Sequence, residues 1–151
     1  MIIHFGVNDI PYSFQVDLGK TSTGKQRAST TGDVAGILET KYSVMAKFWE
    51  LHQDEVVQAL RKSVEGAFES LLMGAPAAQG SSDAATSEIE AMFQKFLDLK
   101  EMDGIVPGVP TKASLVGVSH RFKHPYAKRA SRPSFIDTGL YESSFRCWIE
   151  V

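Results

Sequence analysis

The chain changes its hydrophobic rhythm several times. "IIHFGV" alternates loosely, and "YSFQVDL" alternates clearly, with Phe14, Val16 and Leu18 on one side and Ser13, Gln15 and Asp17 on the other. These predict two short strands joined through the turn-rich "NDIP". No proline interrupts Asp33 to Gly74, and apolar residues there recur at helical spacing. Val34, Leu38, Tyr42, Met45 and Trp49 make one stripe; Val56, Leu60, Val64, Phe68 and Leu71 make a second. The phase slips at "LHQDE", so either one helix bends there or Asp54 caps a second helix. Asp33 or Thr31 is the expected cap at the start, and "MGAP" ends the pattern with a glycine followed by a proline.

Beyond this segment, "TSEIEAMFQKFLDLKEMDG" predicts a shorter helix. Thr86 or Ser87 is its cap, Ile89, Met92, Phe93, Phe96 and Leu97 form its apolar face, and Gly104 is its end. Flexible loops are expected over residues 19–32, rich in Gly, Ser, Thr and Lys, and over residues 74–87, small, polar and Gly/Pro-containing. Residues 105–134 are broken by Pro107, Pro110 and Pro125 and read as an extended arm in which only "ASLVGVS" suits a strand. "DTGLYESSF" predicts a short helix capped by Thr138 or Asp137, with Glu142 in its first turn against the helix dipole. "RCWIEV" reads as a closing strand. Together these elements predict one domain over residues 1–151 in the α+β class. A long central helix, or two consecutive helices, packs on a small, mostly antiparallel sheet, with an extra helix and an extended arm.

Length and composition fit that picture, since 151 residues with 43% hydrophobic and 23% charged positions suffice for a core without disulfides or metal. A net charge of −2 and a pI near 6.1 argue against a chain that wraps nucleic acid, so any anion contact is local. The N-terminus has no basic leader and no apolar run reaches the roughly 20 residues a membrane span needs. A soluble, unsecreted chain with no membrane partner is expected. Cys147 is the single cysteine, which excludes an internal disulfide and thiol-rich metal sites; it reads as a small buried hydrophobe.

Few groups suggest catalysis. "GKTSTGKQ", Gly19 to Gln26, approaches the phosphate-binding loop pattern but ends on Gln26 where a hydroxyl must hold magnesium, and the next helix starts too late to cradle phosphate. His120 and His124 have i, i+4 spacing, but Pro125 opposes the helix that would align them, and His4 and His52 lie in other segments. Neither a nucleophile turn nor a Cys/His pairing is present. Glu88 with Glu90, and Asp54 with Glu55, suit solvated helix faces and caps. No catalytic residue, metal site or cofactor is assigned, and the chain reads as a non-enzyme.

The basic segment has more content. Arg121, Lys123, Lys128, Arg129 and Arg132 occur with no intervening Asp or Glu and are interleaved with Phe122 and Tyr126. Such a strip can be a solvated loop, can contact phosphates while its rings stack on bases, or can pair with acidic helix faces of a neighbouring subunit, such as Glu65, Glu69 or Glu88 to Glu90. Composition leaves these uses open.

Directly after it, "RPSFIDTGLYESSFRCWIEV" resembles the end of tail-completion and neck proteins of double-stranded DNA tailed bacteriophages. In those proteins a proline precedes a "TG-L-x-x-S" turn into a helix and a closing strand, matched here by Pro133, Asp137, Thr138, Gly139, Leu140, Ser143 and Ser144. "TTGDVAGILETKYSVMAKFWELHQDEVVQALRKSVEGAFESLLMGAP" is similar to their long helix and the small-residue loop after it, and the two blocks cover about half the chain. The resemblance implies a structural, non-catalytic virion protein. Its subunits would form a ring, a hexamer by analogy, at the head-tail junction or the top of the tail, as a tail terminator or gateway through which DNA passes. Implied partners are collar, tail tube or sheath proteins, with assembly in the host cytoplasm. Arg121, Lys123, Tyr126, Lys128, Arg129 and Arg132 would then touch a neighbouring subunit or make non-specific contacts to DNA in the channel. A strongly positive lumen would hinder DNA passage, which favours the neighbour. Alternatives are a DNA-binding accessory protein using residues 121–132 and a capsid-side head-completion adaptor. Residues 79–110, with their extra helix, depart from the compact family pattern and are a candidate contact for collar or sheath.

Overall fold

The structure, a computed structural model, describes residues 2–12, 30–74, 81–117, 130–136 and 139–150. In chain order its elements are β1 (Ile2–Val7), α1 (Thr31–Tyr42), α2 (Val44–Leu72), α3 (Ser81–Asp98), α4 (Lys112–Val116), α5 (Leu140–Ser144) and β2 (Phe145–Glu150). The fold is α+β: a long helix packs against a small antiparallel sheet, with further helices beside them. β1 pairs with β2, placing Ile3 opposite Ile149, Phe5 opposite Cys147 and Val7 opposite Phe145. Alternation turns Phe5, Phe145 and Cys147 into the core and leaves His4 and Trp148 on the outer face. There Trp148 stacks on His4 with ring centroids 5.3 Å apart. It lies across Gly6, where a Cβ would come within 2.9 Å of the indole. The strand expected from "YSFQVDL" falls outside the described residues beyond Tyr12, and so does the phosphate-loop look-alike.

The segment after β1 fastens the start of α1. The Thr31 hydroxyl donates to the Asn8 carbonyl and accepts from the Ile10 amide, and Asp9 accepts from the Gly32 amide at 3.1 Å. Thr30, rather than Thr31 or Asp33, is the N-cap. Its side chain accepts from the Asp33 amide while the Asp33 carboxylate accepts from the Thr30 amide, a reciprocal capping box.

The long helical segment breaks at Ser43, not at "LHQDE". Ser43 adopts φ 52, ψ 49, and Glu39 compensates by accepting from the amides of Met45 and Ala46, two donors at the start of α2. α2 then runs unbroken through His52 and Asp54. The apparent slip arises because a half-buried histidine takes a place on the core line Val44, Phe48, His52, Val56. The helix ends as expected, with Leu72 last and Gly74 at φ +75.

α3 starts earlier than expected, at Ser81, so residues 81–87 of the anticipated loop are helical and Thr86 and Ser87 lie inside the helix. It also stops earlier, at Asp98, and turns through Leu99 to Gly104 follow. Its apolar face is as predicted: Ile89, Phe93, Phe96 and Leu97 are buried. The arm expected over 105–134 is not extended throughout. Val106 and Val109 are core residues, and the described part of "ASLVGVS", up to Gly117, belongs to α4 rather than a strand, capped by the Thr111 hydroxyl and closed by Gly117 at φ +67. Five residues are too few for periodicity to separate helix from strand, and local capping decided.

The core centres on aromatic rings. Phe93 stacks on Phe145 at 3.8 Å, and Phe48 meets Phe93 edge-on at 5.3 Å, joining α2, α3 and β2. Phe48, Phe93, Phe96 and Phe145 are each essentially inaccessible. Each fully buried ring contributes roughly 1.5–3 kcal/mol over an exposed one.

Candidate functional site

The sequence motif "RPSFIDTGLYESSF" is the root from which the basic segment springs. Ser134 is buried, accepts from the Thr111 amide at 3.2 Å and shares a 3.1 Å hydrogen bond with the Ser114 hydroxyl. One residue pair away, the Arg132 amide donates to the Ser114 carbonyl at 3.1 Å. The Arg132 guanidinium turns back to donate to the Ile136 carbonyl at 3.0 Å. The described chain pauses at Gly117, just after α4, and resumes at Ala130, and the two flanks are tied to each other. Arg121, Lys123, Tyr126, Lys128 and Arg129 lie between those flanks, outside the described residues, as do His120 and His124. Of the six predicted contact residues, only Arg132 is placed, and it is built into the root.

Downstream, Gly139 takes φ +73 as the residue before α5, a conformation glycine adopts without strain. It, and not Thr138 or Asp137, is the N-cap; those two lie outside the described residues. Glu142 stands in the first turn as expected, and burial, then the charge of Asp98, raises its pKa. The Ser144 hydroxyl is buried and donates to the Tyr141 carbonyl at 2.7 Å, and the Ser144 carbonyl accepts from the Asn8 amide at 2.8 Å. The Ser143 hydroxyl donates to the Leu140 carbonyl at 3.2 Å, on the exposed side. Gly139, Leu140, Ser143 and Ser144 thus form the turn and short helix that lead into β2, and Ser144 ties that helix to the segment after β1.

Beside the root lies a groove of about 330 Å³ between α1, α4 and α5, lined by Leu38, Tyr42, Arg132, Phe135 and Tyr141 among others. The Tyr141 hydroxyl is buried there and has no hydrogen-bond partner among the described residues. Burial, then the proximity of Glu39 and Tyr12, raises its pKa well above the ordinary value of 10.0.

Of the acidic residues expected to receive a neighbour's basic arm, Glu90 and Glu65 have partners within the chain. Glu90 accepts from the Cys147 amide at 3.2 Å and lies 3.6 Å from Arg146, so it serves the core side of α3. Glu65 pairs with Arg61 at 2.7 Å on exposed surface. Cys147 is buried, and burial with Glu90 nearby pushes its thiol up to about 11, away from reactivity.

Sequence reasoning missed His52, whose two ring nitrogens each meet a carboxylate. Its Nε2 meets Glu101 at 2.8 Å, its Nδ1 meets Glu55, and Phe48 and Phe96 flank the ring. Burial works against the imidazolium, but the hydrogen bonds and charges of the two carboxylates outweigh it and raise the pKa above 6.5. A histidine followed three residues later by glutamate was visible in the sequence; Glu101 was not. The carboxylates sit on opposite ring nitrogens and do not converge, and among the described residues no cluster is arranged to hold a metal ion. No helix among the described residues is long and apolar enough to cross a membrane.

Set against known proteins, the chain matches no family model, no curated protein and no solved structure.

Proposed function

We propose that the protein is a non-enzymatic structural subunit of a bacteriophage neck, forming a ring at the head-tail junction or the top of the tail through which DNA passes. The observation that carries this reading is the double tether at the root. Hydrogen bonds from Arg132 to Ser114 and from Thr111 to Ser134 hold both flanks of the basic segment against the core. A charged segment fixed at both feet transmits the pull of a neighbouring subunit into the fold. The sequence resemblance at Pro133 to Ser144 supports the same reading, because that stretch holds Ser134, one of the tethering residues.

The test is imaging of intact particles together with charge neutralisation of Arg121, Lys123, Lys128 and Arg129, leaving Arg132 in place for the fold. Symmetric copies at the head-tail junction, and a neutralised variant that folds but fails to incorporate, are the expected results. Loss of a salt-sensitive affinity for duplex DNA, with incorporation unchanged, would instead favour the DNA-binding accessory reading.

A further inference from the structure

α2 has 29 residues and spans about 44 Å, whereas α3 with 18 spans about 27 Å. No residue of α2 after Ala59 is buried. Yet the helix stays apolar: Val57 is 52% exposed, Val64 55%, Phe68 61% and Leu71 54%, with Leu60 half-buried among them. These five residues fall on one line with successive spacings of 3, 4, 4 and 3, symmetric about Val64. Read from either end, the line is the same. A second such helix laid antiparallel would set Val57 against the partner's Leu71, Leu60 against the partner's Phe68, and Val64 against itself.

The charges flanking the line break the other symmetry. Beside the line, Arg61 lies in its N-terminal half and Glu65 in its C-terminal half, the two paired at 2.7 Å within the chain. Antiparallel copies bring the cationic half of each beside the anionic half of the other; parallel copies juxtapose like charges. A contiguous line of exposed apolar side chains also exceeds the scattered apolar exposure of an ordinary surface.

We propose that the line Val57, Leu60, Val64, Phe68 and Leu71 is a dimer seam, occupied by a second copy of this chain in antiparallel orientation about a twofold axis beside Val64. An isologous contact closes at two copies. It is therefore distinct from the contact that builds a ring, makes the free subunit a dimer, and does not depend on the neck reading.

Cysteine cross-linking in a Cys147→Ser background tests it. Val64→Cys is expected to cross-link to itself under mild oxidation, Val57→Cys and Leu71→Cys each to stay uncross-linked alone, and a mixture of those two to cross-link. Light scattering should give twice the chain mass of 16.6 kDa. Phe68→Glu should weaken the dimer by about 30-fold or more, as loss of a central interface side chain does, with the helical circular dichroism unchanged. A monomeric mass for the unsubstituted chain would overturn the proposal, whether the seam is bare or covered by another part of the same chain. Self-cross-linking of Val57→Cys, the mark of parallel pairing, would overturn it too, and so would a dimeric mass without a Val64→Cys cross-link. Should Phe68→Glu not fold, the cross-linking pattern still decides.

Discussion

The two halves of α2 carry similar apolar content and put it to opposite use. From Val44 to Ala59 the helix gives Phe48 and Val56 to a core in which both are wholly inaccessible, whereas from Leu60 onward Phe68 and Leu71 face solvent for more than half their surface. Phe93 and Phe96 of α3 lie against Phe48 and His52 in the first half, and no residue of α2 after Ala59 is buried. Hydrophobicity alone does not identify a core residue; the presence of a second layer does. One half of the helix serves folding, and the other is available for association.

Substitution at equivalent positions gives the sharpest contrast. Phe48→Ala should cost about 4 kcal/mol in chemical denaturation, because it opens a cavity between Phe93, Phe96 and Phe145. A loss below about 1 kcal/mol would mean that the first half is no better packed than the second. Within the buried half, His52 should make stability depend on pH. Its folded pKa lies above 6.5, so its contribution is complete below that value and fades as pH rises through the folded pKa. Denaturation series across that range should show this decline for the unsubstituted chain and its absence in His52→Gln; parallel profiles would remove the histidine from the account. Next in size, Tyr141→Phe should stabilise the fold by about 1 kcal/mol, since it deletes a buried hydroxyl that finds no partner among the described residues. A measured loss would show that the hydroxyl is satisfied. The smallest effect belongs to the exposed half: measured on dilute protein, Phe68→Ala should change the folding free energy by less than about 0.5 kcal/mol. A larger loss would place Phe68 in a core.

The sequence made the interior legible wherever periodicity had room to repeat. α3 shows this best, because Ile89, Phe93, Phe96 and Leu97 recur over several turns, and all are buried. Its start was misjudged because Ser81 to Ala85 reads as small and polar while the structure continues the helix through it. The break at Ser43 was hidden for another reason. It involves neither glycine nor proline, and Glu39, which makes it tolerable, looks like any solvated acid until its carboxylate is seen on Met45 and Ala46. Leu115 and Val116 suit strand and helix alike, and the Thr111 cap decides for α4. At the candidate site the motif residues from Pro133 to Ser144 were recognisable, but their bonds to Thr111, Ser114 and Asn8 span sequence distances that no local pattern encodes. The seam on α2 was legible as a stripe. Its exposure was not, since that depends on what the rest of the fold packs against α2.

The bond from the Cys147 amide to Glu90 bears on how this molecule behaves in company. A strand margin with an idle amide invites stray chains to add themselves and begin a fibril, and a carboxylate parked on that amide turns them away. By occupying that amide, Glu90 leaves one donor fewer for a foreign strand to use.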